Sequence, residues 1–469
     1  MTFTRTKIIC TIGPATQDLN SLKKLHKNGM NVARINMSHA NHKSAKVVID
    51  RIHKINNDPK LDYGKIGILL DTQGPEIRTG DTEITLDLKV GDEVTLTVRD
   101  EVDVETSSIK INYKDLIQSV SKGSRITVDN GLINFKVLSK DEETLLCKVL
   151  DGGKLGSKRH VNLPGVRVNL PSITSKDLED INFGIQNGVD FIALSFVRNS
   201  EDLESLQEIL DKKKSKAKII AKIENQEGLD NIHDISKASW GVMVARGDLG
   251  IETSLTDLPN IQRRIMHACA KWGRRSIVAT HLLESMIDNP TPTRAEVTDI
   301  ANAIYEGADA VMLSGETSVG KYPVECVRFL KSIAEKTEKF KTLEYEKSLR
   351  PNTDWQHIGV AAKNLAESIQ ADGIIAITRT GKTANYISNA KPSGIPIFTF
   401  TGNKKTLTQL TLVGSTIPFY LSNLSNHEKT LQSVTKILKK YYGKTGLKLI
   451  MVSGIFSEEH SEAIQIINI

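Results

Sequence analysis

The stretch KIIAKIENQEG (218–228) opens on a short apolar run and closes on charge. Its first half reads as a strand of the fully buried kind, apolar on both faces. Side chains alternate along a strand, so Lys222 and Glu224 point to the same side. Charged groups are almost never fully buried without a partner. A core strand that ends in an ammonium and a carboxylate side by side needs a reason beyond packing.

Runs of the same kind recur at KIICTIG (7–13), NVARIN (31–36), KIGILLD (65–71), VDFIALSF (189–196), GVMVARG (241–247), SIVATH (276–281) and DAVMLSG (309–315). Helical segments such as LNSLKKLHKNGM (19–30) lie between most of them. Continuous apolar strands alternating with helices predict an α/β fold, a (β/α)8 TIM barrel. One long interval interrupts it. That interval carries GDEVTLTV (91–98), SRITVDNGLINFKV (124–137) and TLLCKVL (144–150), with a hairpin signal at Asp129-Asn130-Gly131. It predicts an inserted small β-barrel lid domain over 72–168, between barrel parts at 1–71 and 169–345. Beyond it, ADGIIAITRTGKTA, IPIFTFTG, STIPFYL and LKLIMVSG predict a C-terminal open-sheet α/β domain over 346–469.

Composition agrees with such a division. A chain of 469 residues is too long for one hydrophobic core. The formal charge of +6 is mild, and Lys-rich pieces such as DKKKSKAK (211–218) are interleaved with acids, as at a solvated helix end. Aromatic residues make up 5%, and no one-sided basic stripe is visible, so a nucleic-acid partner is not expected. No apolar run nears the ~18 residues of a membrane span. The N-terminus reads as a first strand rather than a secretory leader. Cys10, Cys147, Cys269 and Cys326 lack CxxC spacing, and reduced core thiols in a cytoplasmic protein are expected.

The chemistry of a TIM barrel sits at the C-terminal ends of its strands. Collected there are Arg34, Asn36, Ser38 and His39; Asp71, Thr72, Glu76 and Arg78; Lys222 and Glu224; Arg246, Gly247 and Asp248; Thr280; and Ser314 and Glu316. Each has a structural explanation when taken alone. Asp248 and Thr280 could cap helices, Lys222 and Glu224 could be an ordinary ion pair, and Asn36 and Ser38 could satisfy loop backbone. Thr293 to Glu296 is a capping box, and there the structural explanation is preferred. Their shared position at one end of many strands points to a site. Glu224 and Asp248 are hard oxygen ligands suited to Mg2+ or Mn2+, with positions left for water and substrate phosphate. Lys222 can neutralise charge on a transferring group. Arg34 and Arg78 can grip phosphates, and Gly247 offers a backbone N–H at a helix start. Metal, lysine and arginines together are what phosphoryl transfer requires.

These residues lie in longer motifs: TKIICTIGPAT, RINMSHA, LLDTQGPEIRTG, VNLPGVRVNLP, AKIENQEGLDN, GVMVARGDLGIE, NPTPTRAE and DAVMLSGET. In order and along the whole chain, they resemble pyruvate kinase. The resemblance implies transfer of a phosphoryl group from phosphoenolpyruvate to ADP, giving pyruvate and ATP, by a cytosolic homotetramer. It implies that Arg34, Lys222, Gly247, Asp248 and Thr280 contact phosphoenolpyruvate or its product, and that Glu224 and Asp248 ligate Mg2+. It gives Asn36, Ser38, Asp71 and Thr72 to K+, and Asn36, Met37, Ser38, His39 and Arg78 to the nucleotide. Lys222 would stabilise the transition state. Thr280 would lie on the route that protonates the enolate, with Ser314 and Glu316 behind it.

The resemblance also separates K+-dependent members, with Glu at the position of Glu76, from K+-independent ones with Lys. Departures fall at Gln73, His281 and Asn199, where the family usually has Lys, Gln and often Lys. TRTGKT, holding Thr378, Arg379, Thr380, Gly381, Lys382 and Thr383, resembles the family's effector-phosphate loop, though an ordinary strand-to-helix turn explains it equally well. The acidic segment GIFSEEHSEAIQ (454–465) stands where bisphosphate-activated members carry a Gly-rich loop, so activation by fructose-1,6-bisphosphate is expected to be weak or absent, with a monophosphate effector left open. Other classes weighed are a metal-dependent lyase or aldolase acting on phosphoenolpyruvate or pyruvate, and an inactive homologue. The insertion and the cation-site residues count against the first, and the presence of Lys222, Glu224 and Asp248 against the second.

Overall fold

The computed structural model describes residues 3–59, 64–82, 85–99, 108–166, 168–422, 427–443, 445–453 and 463–469. Eight parallel strands close a barrel: β1 (Lys7–Thr11), β2 (Val32–Asn36), β3 (Gly67–Asp71), β4 (Phe191–Leu194), β5 (Lys218–Ile223), β6 (Gly241–Ala245), β7 (Arg275–Ala279) and β8 (Ala310–Leu313). Nearly every residue in them is buried, which explains the continuous apolar runs: one face fills the barrel, the other packs on helices.

The period of two decides what reaches the mouth. Ile9, Val32, Leu69, Ala193 and Ile220 lie in the barrel interior. Two residues further along the same strands come Thr11, Arg34, Asp71, Ser195 and Lys222. The top layer of the interior is therefore polar, while Ala221 and Ile223 turn outward into the helix-covered core.

The other mouth is closed. Leu412, from the C-terminal domain, joins the interior cluster of the barrel. Around it Lys7 Nζ donates to the Thr416 carbonyl (2.6 Å), Thr408 Oγ1 donates to Asp190 (2.6 Å) and Lys391 Nζ donates to Asp309 (2.6 Å). Arg275 Nη1 donates to Ser388 Oγ at 2.8 Å. With its floor sealed by polar bonds and an apolar plug, the barrel opens only toward its polar layer and the inserted domain.

The insertion leaves from the loop after β3. Its six-stranded sheet runs Val161–Asn162, Arg125–Val128, Ile133–Lys140, Thr144–Asp151, Glu93–Thr97, Ser108–Lys110, beside a ribbon of Leu86–Leu88 and Gly153–Leu155. Phe135, Leu96 and Val149 are among its own buried core. Asp129, Asn130 and Gly131 all take positive φ, as the hairpin signal predicts. The C-terminal sheet holds β9 (Gly373–Ile377), β10 (Ile397–Thr401), β11 (Thr416–Tyr420), β12 (Lys448–Ser453) and β13 (Ala463–Asn468), in the order β11-β10-β9-β12-β13. β13 is antiparallel and was not foreseen: it begins in the last three residues of the acidic segment 454–465, the rest of which lies outside the described residues. The four cysteines are free and buried. Among the described residues no helix is long and apolar enough to cross a membrane.

Candidate active site

Asp71 is the hub of the polar layer. Its Oδ2 accepts from Arg34 Nε (2.6 Å), and Arg34 Nη1 donates to Thr11 Oγ1 (2.9 Å). Its Oδ1 lies 3.0 Å from Lys222 Nζ, an ion-pair contact without hydrogen-bond alignment, so this buried oxygen has no hydrogen-bond partner. Lys222 Nζ also lies 3.0 Å from Glu224 Oε1 and donates to Ser195 Oγ at 2.6 Å. Burial would lower the Lys222 ammonium, but Asp71 and Glu224 outweigh it and hold the group above its ordinary value, so it stays charged. For Asp71, burial would raise the carboxyl, and Lys222 and Arg34 more than reverse this.

The two candidate metal ligands behave differently. Burial pushes the Glu224 carboxyl up, against the pull of Lys222. Asp248 is also pushed up by burial, with Glu76 adding to the effect and Lys222 opposing it. Two carboxylates at the mouth, each pushed up by burial more than Lys222 pulls it down, form a donor set that a divalent cation would complete. Among the described residues no cluster of three or more His, Cys, Asp or Glu forms a ready-made metal cage. Two carboxylates with open positions suit Mg2+, which keeps waters and substrate oxygens in its shell. Asp71 Oδ1, which meets Lys222 as an ion pair but accepts no aligned hydrogen bond, and Asn36, paired with Asp71 across β2 and β3, offer oxygens of the kind a cation takes.

Asp248 and Gly247 lie in the first turn of a short helix, Arg246–Glu252. Gly247 N–H donates to Thr280 Oγ1 (2.8 Å), which itself donates to the Ala279 carbonyl (2.6 Å). Arg246, buried, is held by both carboxylate oxygens of Asp299 (2.8 and 2.7 Å) and by the Thr280 carbonyl (2.6 Å), so it braces the rim. Thr280 has φ 68°, His281 φ 53° and Phe196 φ 53°. Positive φ is uncommon outside glycine, and strained backbone of this kind collects at functional sites. Glu316 is fully buried, and its carboxylate oxygens accept from the backbone N–H groups of Leu283 (3.0 Å) and Ser314 (2.6 Å). It anchors two loops.

A cavity of about 420 Å³ opens over this layer, lined by Arg34, Asn36, Ser38, His39, Arg78, Lys222, Glu224 and Asp248, with Asp129, Lys158 and His160 of the insertion above. Met37 does not line it: its side chain is buried in the barrel's outer core, and its carbonyl accepts from Lys176 (2.8 Å). Glu76 Oε2 accepts from Arg78 Nε (2.7 Å) and Gln73 Nε2 (2.8 Å). Of the departures, Gln73 thus replaces a cation with a neutral donor. Asn199 caps the helix Ser200–Lys212 by accepting from Asp202 N–H (3.1 Å), and the His281 carbonyl accepts from Arg246 (3.4 Å).

Residues 3–327 match the pyruvate kinase barrel domain, and residues 356–467 match the pyruvate kinase alpha/beta domain. The chain belongs to the pyruvate kinase family. It is 45% identical over 423 residues to a pyruvate kinase of Staphylococcus saprophyticus, a match covering 88% of this chain and 71% of the relative. It is 40% identical over 460 residues to plastidial pyruvate kinase 2 of Arabidopsis thaliana, covering 96% and 77%. The crystal structure of a pyruvate kinase from Cryptosporidium parvum superposes with a TM-score of 0.93 at 34% identity, covering 99% of this chain and 96% of that one. Membership makes the protein a phosphotransferase.

Sequence reasoning missed Thr11 and Ser195. Both were already inside quoted strands, two residues past interior positions as Arg34, Asp71 and Lys222 are, so the signal was present. At the effector candidate, Thr378 Oγ1 is turned inward, accepting from Gly381 N–H (2.9 Å), and Gly381 has φ 84° before the helix Lys382–Asn389. Thr383 is buried, while Arg379, Thr380 and Lys382 are exposed.

Proposed function

We propose that the protein transfers the phosphoryl group of phosphoenolpyruvate to ADP, with Lys222, Arg34 and Thr280 as its reacting side chains. A β-phosphate oxygen of ADP bonds to phosphorus as the bond to the enol oxygen breaks. The electrons left on the enolate take a proton at carbon, giving pyruvate. Lys222 offsets the charge that develops on the bridging oxygen and on the departing enolate. Arg34 holds the phosphoryl oxygens, and the Gly247 N–H with Asp248 and Thr280 orients the carboxylate end. Thr280 Oγ1 lies on the proton route: as its bond to the Ala279 carbonyl turns away it passes its proton to the enolate carbon and takes another from water, so the hydroxyl is restored.

Glu224 and Asp248 would hold Mg2+ or Mn2+, and Asn36, Ser38, Asp71 and Thr72 would hold K+; bound there, the cations neutralise phosphoryl charge. Asn36, Ser38, His39 and Arg78 face the nucleotide, with the backbone of Met37 completing that loop. The observation that carries the reading is the convergence of Arg34, Asp71, Lys222, Glu224 and Asp248 from four strand ends, with Arg34, Lys222, Glu224 and Asp248 lining one chamber and Asp71 paired to Lys222 beneath it. The domain division at 72–168 and 346–469, a homotetramer, a cytoplasmic setting and a phosphorylated effector at 378–383 belong to the same proposal. Four unpaired buried thiols support a reducing compartment. A coupled assay of pyruvate formed from phosphoenolpyruvate, ADP and Mg2+ tests it: steady turnover that stops on chelation is expected, and no pyruvate overturns it.

A further inference from the structure

Of the three oxygens at hydrogen-bond distance from the Lys222 ammonium, Asp71 and Glu224 make ion-pair contacts, and only Ser195 Oγ, at 2.6 Å, is met in hydrogen-bond alignment. Ser195 sits just past β4, one strand from Lys222 on β5, and is 1% exposed. Its hydroxyl cannot rotate freely. Having accepted from Lys222, it donates to the Thr72 carbonyl (2.7 Å), and its own N–H donates to Thr72 Oγ1 (3.1 Å). A hydroxyl that receives and gives at once is fixed in orientation, and so is the lone pair it presents.

The neighbouring backbone is built around this placement. Phe196, the next residue, has φ 53°, and that turn aims its N–H at Glu224 Oε2 (2.6 Å). Gly74, at φ 77°, passes so close that a Cβ there would lie 2.7 Å from Ser195 Cβ. The Ser195-Phe196 pair thus grips Lys222 with a side chain and Glu224 with a backbone donor. An ammonium on four flexible carbons has many rotamers, and holding it within a few tenths of an ångström of a transferring group is what an aligned acceptor achieves.

We propose that Ser195 is a positioning residue for the phosphoryl transfer: it aims the Lys222 ammonium and acts through it alone. The inference rests on the function proposed above. Kinetics are read on the full-length protein for Ser195→Ala, for Lys222→Met and for the double variant. Alanine should lower kcat about tenfold or more while KM for phosphoenolpyruvate and for ADP stays within about threefold, as for loss of an interaction made in the transition state. In the Lys222→Met background the same change should cost less than about threefold, because the group it positions is gone. Ser195→Cys, similar in shape but a weak acceptor, should fall between wild type and alanine, and it replaces alanine if that variant fails to fold. An equal loss in both backgrounds makes the role merely structural and overturns the proposal, as does unchanged kcat. If the wild-type protein forms no pyruvate, it is the function reading that fails, before any variant is compared.

Discussion

Lys222 Nζ and Asp71 Oδ1 face each other at 3.0 Å inside the barrel mouth, where Asp71 is wholly buried and Lys222 is 8% exposed. Asp71 is shared with Arg34, and Glu224 also accepts from the Phe196 N–H, so removing the ammonium strands neither carboxylate. Lys222→Met should therefore keep the fold and abolish efficient transfer. Loss of one preorganised charge stabiliser costs about 10²–10³ or more in rate. Circular dichroism and turnover check this together: a normally folded variant with near-wild-type turnover rules out the assigned role.

Glu76 carries the K+ prediction. It is bound by Arg78 and Gln73, as a purely structural hinge acid would be, yet its charge also reaches Asp248 and helps push that carboxyl up behind burial. Carboxylates crowded at this end of the cleft gain from a bound cation, since screening inside it is poor. Replacing K+ by a bulky organic cation at constant ionic strength should cut activity about tenfold or more. Glu76→Lys should leave the remaining activity largely indifferent to K+. Equal turnover of the unmutated protein with and without K+ sinks the assignment.

For the C-terminal loop, the inward turn of Thr378 leaves Arg379, Thr380 and Lys382 as its exposed groups. On the proposed effector reading these three would hold one phosphate, and the acidic sequence at 454–465, where bisphosphate-activated members carry a Gly-rich loop, argues against a second. Activation by fructose-1,6-bisphosphate should be weak or absent in initial-rate titrations. Strong activation at low micromolar concentration contradicts this.

Asp309 governs acid stability where the barrel meets the C-terminal domain. It accepts from Lys391 (2.6 Å) and from Ser276 N–H (2.9 Å). Burial would raise its carboxyl, but Lys391 and Arg275 outweigh burial and hold it below its ordinary value. A depressed folded value means that the stabilisation is complete above the unfolded carboxylate value of about 4 and is lost as pH falls through the lower folded one. Asp309→Asn leaves the buried Arg275 and the partly buried Lys391 short of a partner and should cost about 3–5 kcal/mol at pH 7. It should also flatten the acid limb. Denaturant midpoints across pH report both, and an unshifted midpoint at pH 7 refutes the account.

Much of this was legible before any coordinates. Continuous apolar strands are what a two-sided burial demands, so all eight barrel strands could be found, and the rule that barrel chemistry sits at the strand ends gathered Arg34, Asp71 and Lys222 at one rim. Ser195 and Thr11 escaped because a lone hydroxyl at a strand end is common, and only the distances to Lys222 and Arg34 distinguish these two. Met37 was carried along with its motif, although its apolar side chain belongs to the core. The contacts of Asp190 and Asp309 join residues far apart in the chain, and no local pattern announces such partners.

The central claim is that the chamber moves a phosphoryl group from one substrate to the other. Phosphorus NMR on a mixture of protein, phosphoenolpyruvate, ADP, Mg2+ and K+ observes that group directly. The enol-phosphate resonance should decay while the γ-phosphate resonance of ATP grows in equal amount, with no lag and no inorganic phosphate. Decay of phosphoenolpyruvate into inorganic phosphate without ATP, or no decay at all, would contradict the account.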